Sequence, residues 1–94
     1  MQPETISFSL PTWIPEFTQN IEYIKDLEAL TQFVIEASRK NVLKKTGVFF
    51  AAAMFELETG KLVSLGVNLV TNQGFSILHG EIVALTVAQA KLST

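Results

Sequence analysis

The sequence predicts an α/β fold in which helices cover both faces of a small sheet, giving three α/β/α layers. Three patterns lead to this prediction. Residues 27–43 carry apolar side chains at helical spacing, and residues 48–55 are eight apolar residues in a row. Residues 62–70 alternate between apolar and small or polar side chains. An uninterrupted apolar strand indicates burial on both faces between layers of helix, and the alternating segment indicates a second strand beside it.

Composition limits the protein to one small domain. The chain has 94 residues, of which 48% are hydrophobic, and its net charge of −2 argues against a general binder of nucleic-acid phosphates. No apolar run is long enough to span a membrane, and the N-terminus lacks an export signal, so we expect a cytoplasmic protein without a membrane partner. The absence of cysteine excludes disulfides and thiolate metal ligands from this chain.

Residues 1–25 are predicted to be a lead-in that contains a short helix. The alternation in residues 6–10 fits either a short edge strand or an extended tail packed on the domain. Thr12 can cap the helix that follows, and Asn20 permits a break in it. The apolar stripe of this helix consists of Ile14, Phe17, Ile21 and Ile24.

Residues 26–94 are predicted to form the main unit, in the order helix, β-hairpin, helix. Asp26 is the expected N-cap of the first helix, which should end near Leu43. Basic residues cluster at this end, where they suit the negative pole of the helix dipole; a phosphate contact is the alternative interpretation. These residues are Arg39, Lys40, Lys44 and Lys45.

The hairpin is predicted to turn at residues 58–61, with its first strand central and its second peripheral. A polar loop then leads to a second helix that opens at His79 and should cover the sheet with Ile82, Val83, Leu85, Ala88 and Leu92. A strand buried on both faces needs neighbours on both edges, and one hairpin supplies a single neighbour. We therefore expect the chain to be cut off, with the missing strand supplied from beyond Thr94 or by another molecule.

The tripeptide His79-Gly80-Glu81 is the main candidate for chemistry. In the pattern His-x-Glu followed by Pro-Cys-x-x-Cys, an imidazole and two thiolates bind Zn²⁺ and the glutamate transfers protons. The simpler interpretation is a hydrogen-bonded histidine at a helix start, followed by an acid that the helix dipole favours. The tripeptide by itself leaves both interpretations open.

Three segments in order carry a resemblance to a known family: Phe50-Ala51-Ala52, Gly66-Val67-Asn68 and His79-Gly80-Glu81. In this order the chain resembles the N-terminal half of the cytidine deaminase-like superfamily, in particular bacterial guanine-deaminase-like and tRNA-adenosine-deaminase-like nucleoside deaminases. The resemblance covers roughly residues 26–92 and implies a three-layer deaminase-like fold, truncated after the helix that carries His-x-Glu. Val48 and Phe49 depart from the Gly-Pro that the family tends to have.

The resemblance implies catalytic and metal-binding roles for two residues. His79 would be a zinc ligand, and Glu81 would carry a proton from the metal-bound water to the leaving ammonia. Because Pro-Cys-x-x-Cys is missing, zinc is expected only if cysteine ligands come from outside this chain. The chain alone is therefore expected to be inactive.

The resemblance also implies a substrate-binding set. Asn68 would hydrogen-bond the base or sugar, Phe50 would form part of the pocket wall, and the backbone at Ala51 and Ala52 would approach the substrate. From the residues alone, Asn68 also fits a bend at a strand end and Phe50 fits an ordinary core position.

Two functions follow from these observations. The first is a zinc-dependent hydrolytic deaminase of a nucleobase, nucleoside or nucleotide, present as an incomplete fragment that pairs with a complementing C-terminal half or forms a homo-oligomer. The second is a non-catalytic remnant that self-associates or binds a partner through its open sheet edge. A standalone metalloenzyme is disfavoured, since His79 is the single histidine of the chain. The sequence does not identify the substrate.

Overall fold

The computed structural model describes residues 1–19, 21 and 23–92. It is an α/β structure with a two-stranded antiparallel sheet, which confirms the predicted class. Its elements are α1 (Ile14–Gln19), α2 (Leu27–Leu43), β1 (Ala51–Phe55), β2 (Leu62–Val67), α3 (Val70–Gln73) and α4 (Gly80–Leu92).

Helix α2 begins and ends where the sequence predicts. Asp26 is its N-cap, although the Asp26 side chain makes no capping hydrogen bond and only its carbonyl is used, by the Leu30 N–H at 3.0 Å. The helix buries Phe33, Ala37 and Asn41, which are spaced four residues apart and so share one face. The buried stripe therefore ends on a polar amide.

The hairpin joins β1 and β2 in a register that pairs Ala51 with Val67 at one end and Phe55 with Leu62 at the other. The connection contains Gly60 in the left-handed conformation, with φ of 75°. Its N–H donates to the Glu56 carbonyl at 2.8 Å. Glycine adopts this conformation without the steric cost of a Cβ, so the predicted Gly-containing turn is confirmed.

The first strand is shorter and less buried than predicted. It begins at Ala51, and residues 48–50 form an exposed segment before it. Phe50 has φ of 93°, outside the range of a strand, and its N–H donates to the Ser38 hydroxyl at 2.8 Å. Met54 within β1 is 40% exposed, so the predicted burial of this strand on both faces is not found among the described residues.

The second strand is the buried one, contrary to the prediction that it would be peripheral. Ser64, Leu65, Gly66 and Val67 are all buried, and β2 ends at Val67 rather than at residue 70. Alternation places Ser64 and Gly66 on the face that α4 covers. Small side chains on that face bring the helix close to the strand.

Helix α4 packs across both strands, but with a different face than predicted. Val83 and Ala88 are buried as expected, whereas Ile82, Leu85 and Leu92 are 36%, 44% and 76% exposed. The sheet-facing position belongs instead to Ala84, whose backbone contacts Gly66. Close approach of two backbones selects the smallest side chains for the interface and leaves the larger ones outside.

The N-terminal segment packs on the domain as an extended tail followed by α1. Residues 6–10 form no strand, and the tail is held by a 3.0 Å hydrogen bond from the Ser9 N–H to the Gln73 side chain. Trp13 is buried, and its ring contacts Phe17, which stacks on Phe33. The predicted break at Asn20 lies outside the described residues.

Where a polar loop was predicted after β2, α3 forms instead, and its C-cap is Gly74, which has φ of 78°. Among the described residues the sheet has two strands, so the second edge of β1 has no strand partner there.

No helix in the described part of the chain is long and apolar enough to cross a membrane.

Candidate active site

His79 and Glu81 lie at the N-terminus of α4. The His79 carbonyl accepts the first helical hydrogen bond, from the Val83 N–H at 2.9 Å, and the His79 N–H donates to the Ile77 carbonyl at 2.8 Å. Both side chains are exposed. Glu81 stands in the first helical turn, where the positive end of the helix dipole favours a carboxylate.

Gly80 places this helix end directly on the hairpin. A Cβ built on Gly80 would lie 3.1 Å from the Ala51 Cα and 3.4 Å from the Ala52 nitrogen. A Cβ built on Gly66 would overlap the Gly80 carbonyl oxygen. The N-terminus of α4 therefore rests on the end of the hairpin where β1 begins and β2 finishes.

Asn68 directly follows β2 at this same end and is buried. Its N–H donates to the Phe50 carbonyl at 3.1 Å, and its side-chain oxygen accepts from the Val70 N–H at 3.1 Å. Because a backbone N–H can only donate, the amide oxygen must face Val70 and the NH₂ group must point away from it. Every fully buried side-chain N or O among the described residues has a partner, and this NH₂ group has none there, so it is not fully buried.

Phe50 stands opposite Asn68 with its side chain 73% exposed. Its backbone is fixed on both sides, by Ser38 at the N–H and by Asn68 at the carbonyl. Ala51 and Ala52 follow in β1 and are half-buried. The structure thus brings Phe50, Ala51, Ala52 and Asn68 to one end of the hairpin.

Backbone hydrogen bonds of neighbouring residues hold the predicted catalytic pair, His79 and Glu81, near that end of the hairpin. The Leu69 N–H donates to the Leu78 carbonyl at 2.9 Å, and these residues come directly after Asn68 and directly before His79. The histidine and the asparagine are therefore held at the same end of the sheet by the backbone. No hydrogen bond joins the two side chains directly.

The donor set does not complete a zinc site. Catalytic zinc normally takes three protein ligands and keeps one open position. In the described part of the chain no group of three His, Cys, Asp or Glu residues could hold a metal ion, and the sequence contains one histidine and no cysteine. His79 can supply one ligand, and the residues present do not fit a metal centre by themselves.

Sequence reasoning missed two polar residues that support this end of the hairpin from α2. Ser38 binds the Phe50 N–H, and the fully buried Asn41 binds the Asn68 carbonyl through a 2.8 Å hydrogen bond from its side-chain amide. A signal was present in the sequence: Asn41 continues the buried stripe of Phe33 and Ala37 at a spacing of four. A polar side chain in such a stripe needs buried partners.

No protein-family model matches the chain, and no curated protein matches its sequence. Solved structures do match. A guanine deaminase from Nitrosomonas europaea is 33% identical, with a TM-score of 0.87 over 100% of this chain and 51% of that one. The chain has a deaminase fold.

Two further guanine deaminase structures contain purine analogues. One is a mutant in complex with 8-azaguanine, 33% identical with a TM-score of 0.87, covering 100% of this chain and 51% of that one. The other is a complex with 2,6-diaminopurine, 36% identical with a TM-score of 0.85, covering 94% of this chain and 46% of that one. The chain thus spans about half the length of the solved structures that it matches.

These matches confirm the predicted deaminase fold. They do not test which half of the longer proteins the chain corresponds to, nor the roles assigned to individual residues. The zinc-binding, catalytic and substrate-binding assignments of His79, Glu81, Asn68 and Phe50 stay predictions, as do those of Ala51 and Ala52. The division at residue 25 likewise stays a prediction.

Proposed function

We propose that this chain supplies the base-binding end and the proton-transferring carboxylate of a nucleobase deaminase that acts on purines. The observation that carries the proposal is the match over 94% to 100% of the chain, at TM-scores of 0.85 to 0.87, to guanine deaminase structures that include purine-analogue complexes. Guanine is therefore the first substrate to test. Its hydrolytic deamination consumes water and yields xanthine and ammonia.

Asn68 and Phe50 are the proposed base-binding pair. With its oxygen held by the Val70 N–H, the Asn68 amide is oriented to donate from its NH₂ group to an acceptor atom of a purine. A buried and oriented polar group of this kind discriminates strongly against ligands that lack its partner. The exposed Phe50 ring offers an aromatic face, and stacking on such a face is worth about 1–3 kcal/mol per base.

Glu81 is the proposed proton carrier, and His79 is the proposed metal ligand contributed by this chain. Glu81 lies in the first turn of α4, beside His79, and its carboxylate would take the proton of the attacking water. Since His79 is one ligand of several, zinc dependence requires ligands from outside these 94 residues. The same outside contribution would pair the second edge of β1 and complete a three-layer α/β/α arrangement.

A titration of the chain with 8-azaguanine tests the base-binding proposal. We expect NMR chemical-shift changes at the backbone amides of Phe50, Asn68 and their neighbours, and at the side-chain amide of Asn68. Asn68→Ala should weaken the affinity roughly tenfold, which corresponds to about 1.4 kcal/mol for one directional hydrogen bond. Asn72→Ala is the matched control, because Asn72 is an exposed asparagine in α3. Absence of binding by the wild-type chain would contradict the proposal.

A reconstitution tests the catalytic part. The chain is mixed with zinc and with the separately produced segment of the N. europaea guanine deaminase that it does not match, and xanthine formation from guanine is followed. Glu81→Gln and His79→Ala should abolish turnover, whereas Glu58→Gln, in the exposed hairpin turn, should leave it unchanged. Turnover that survives Glu81→Gln would show that this carboxylate is not the proton carrier.

The exposed edge of β1 favours a second candidate function, that of a non-catalytic remnant that associates through its sheet. Phe49 and Met54 are 59% and 40% exposed beside this edge, and open edges with apolar flanks readily pair with other strands. Analytical ultracentrifugation of the wild-type chain and Met54→Lys measures this association. Dimers that Met54→Lys disrupts, combined with no purine binding, would favour the remnant over the deaminase.

A further inference from the structure

Asn41 is a completely buried amide that uses its polar atoms to join three segments. Its side-chain nitrogen donates to the Val48 carbonyl at 3.0 Å and to the Asn68 carbonyl at 2.8 Å. Its side-chain oxygen accepts from the Thr46 hydroxyl at 2.7 Å. One side chain at the end of α2 thus ties residues 46–50 to the residue that follows β2.

The backbone around Asn41 reinforces this junction. The Asn41 carbonyl accepts hydrogen bonds from the Thr46 and Gly47 N–H groups at 3.0 and 3.2 Å. A Cβ built on Gly47 would overlap the Asn68 carbonyl oxygen and the Asn41 amide, so the segment packs directly on both. Trp13 extends this hydrogen-bond network, because its indole nitrogen donates to the Thr46 hydroxyl at 2.9 Å.

The chemistry of the junction requires an amide at position 41. Two carbonyl oxygens need a donor and one hydroxyl needs an acceptor, and asparagine offers both on a short side chain. An aspartate would match the size but would place a carboxylate oxygen, in the position of the Asn41 nitrogen, against both carbonyl oxygens. An apolar residue would leave the buried carbonyls without these partners, which costs about 1–3 kcal/mol for each such group in general.

We propose that Asn41 is a positioning residue that fixes Asn68 and Phe50 relative to each other at the base-binding end of the hairpin. This inference rests on the proposed function. Asn41 holds the Asn68 carbonyl while Val70 holds its side-chain oxygen, so the direction of the free NH₂ group is set from both sides. The hydrogen bond from the Asn41 amide to the Val48 carbonyl fixes residues 48–50 and with them the position of Phe50.

The test compares Asn41→Asp with Ser64→Ala. The Ser64 hydroxyl also makes a buried hydrogen bond to a carbonyl, that of Ala84 at 2.8 Å, but it does not contact Asn68. Both variants should lower the melting temperature. Asn41→Asp alone should weaken 8-azaguanine affinity roughly tenfold and speed hydrogen exchange at the Val70 N–H, since the Asn68 carbonyl loses its hydrogen bond from the Asn41 amide.

Thr46→Val serves as the milder variant if Asn41→Asp does not fold. It removes the hydroxyl that orients the Asn41 amide and leaves the amide itself, so we expect a loss of affinity of about threefold. Equal affinity in the wild type and in the folded Asn41 or Thr46 variant would overturn the proposal. An equal loss in Ser64→Ala would also overturn it, because the effect would then be general destabilisation.

The two proposals fail in different ways. If the wild-type chain does not bind 8-azaguanine, the proposed function fails. The rate of hydrogen exchange at the Val70 N–H then decides whether Asn41 orients Asn68. Faster exchange in Asn41→Asp but not in Ser64→Ala supports the positioning role. Unchanged exchange in both contradicts it.

Discussion

Gly66 of β2 lies directly against Ala84 of α4, with no room for a side chain between the two backbones. A Cβ built on Gly66 would overlap the Ala84 nitrogen and the Gly80 carbonyl oxygen. The neighbouring Ser64 hydroxyl donates to the Ala84 carbonyl at 2.8 Å and fixes the same contact. This contact sets the height of α4 above the sheet and therefore the position of His79 and Glu81.

Gly66→Ala should destabilise the fold by about 2–4 kcal/mol, because α4 must move away from both strands to admit a methyl group. Urea unfolding followed by the fluorescence of Trp13, the single tryptophan, measures this change. The control is Gly74→Ala. A Cβ at Gly74 meets nothing within 4 Å, and its φ of 78° costs about 1 kcal/mol. Equal losses in the two variants would show that backbone conformation, and not close packing, decides the effect.

Phe50→Gly should stabilise the fold by about 1 kcal/mol, since Phe50 has φ of 93° and glycine relieves that strain. Little packing is lost because the side chain is 73% exposed. The same variant should bind 8-azaguanine less tightly, because the aromatic face is gone. Thermal unfolding and NMR titration measure the two effects separately. Destabilisation by Phe50→Gly would mean that the ring packs on the fold more than its exposure indicates.

Local sequence patterns predicted the elements whose signals are local. The spacing of Phe33 and Ala37 marked α2, Gly60 marked the hairpin turn, and the end of the polar loop marked the start of α4. Each of these depends on periodicity or on backbone freedom within a few residues. Their positions could therefore be predicted without knowledge of the rest of the fold.

The burial of the strands could not be predicted in this way. Residues 48–55 are uniformly apolar, yet three of the five β1 residues are alanines with little surface to bury. Gly66 and Ser64 are not strongly apolar, yet they are buried because a helix lies against them. Burial here follows from how closely two elements approach, which is a tertiary property that hydropathy does not encode.

In the candidate site, too, the sequence predicted some of the features and left others to the tertiary structure. Short motifs placed His79, Phe50 and Asn68 at positions that the fold brings to one end of the hairpin. The spacing of Asn41 after Phe33 and Ala37 marked it as a polar residue on a buried stripe, but its partners are the backbone carbonyls of Val48 and Asn68, which no sequence pattern identifies. The role of such a residue can be assigned only when the fold shows which carbonyls lie against it.

His79→Ala should change the free energy of unfolding by no more than about 0.5 kcal/mol, because the imidazole is exposed. Glu81→Gln should cost about 0.3–1 kcal/mol, the contribution of a charge in the first turn of a helix. Urea unfolding of both variants measures these values. A loss of several kcal/mol in either variant would contradict the surface positions of the two side chains and would make their loss of activity uninformative about chemistry.

Trp13→Phe should destabilise the fold by about 2 kcal/mol, because it removes the hydrogen bond to Thr46 and part of a buried aromatic cluster. Tyr23→Phe is the control, since Tyr23 is 61% exposed and should change stability by no more than about 0.5 kcal/mol. Circular dichroism must replace fluorescence, because Trp13→Phe removes the tryptophan. If Trp13→Phe proved neutral, the N-terminal segment would be a separable lead-in. A loss of about 2 kcal/mol would show that Trp13 and its hydrogen bond to Thr46 stabilise the core beside Asn41.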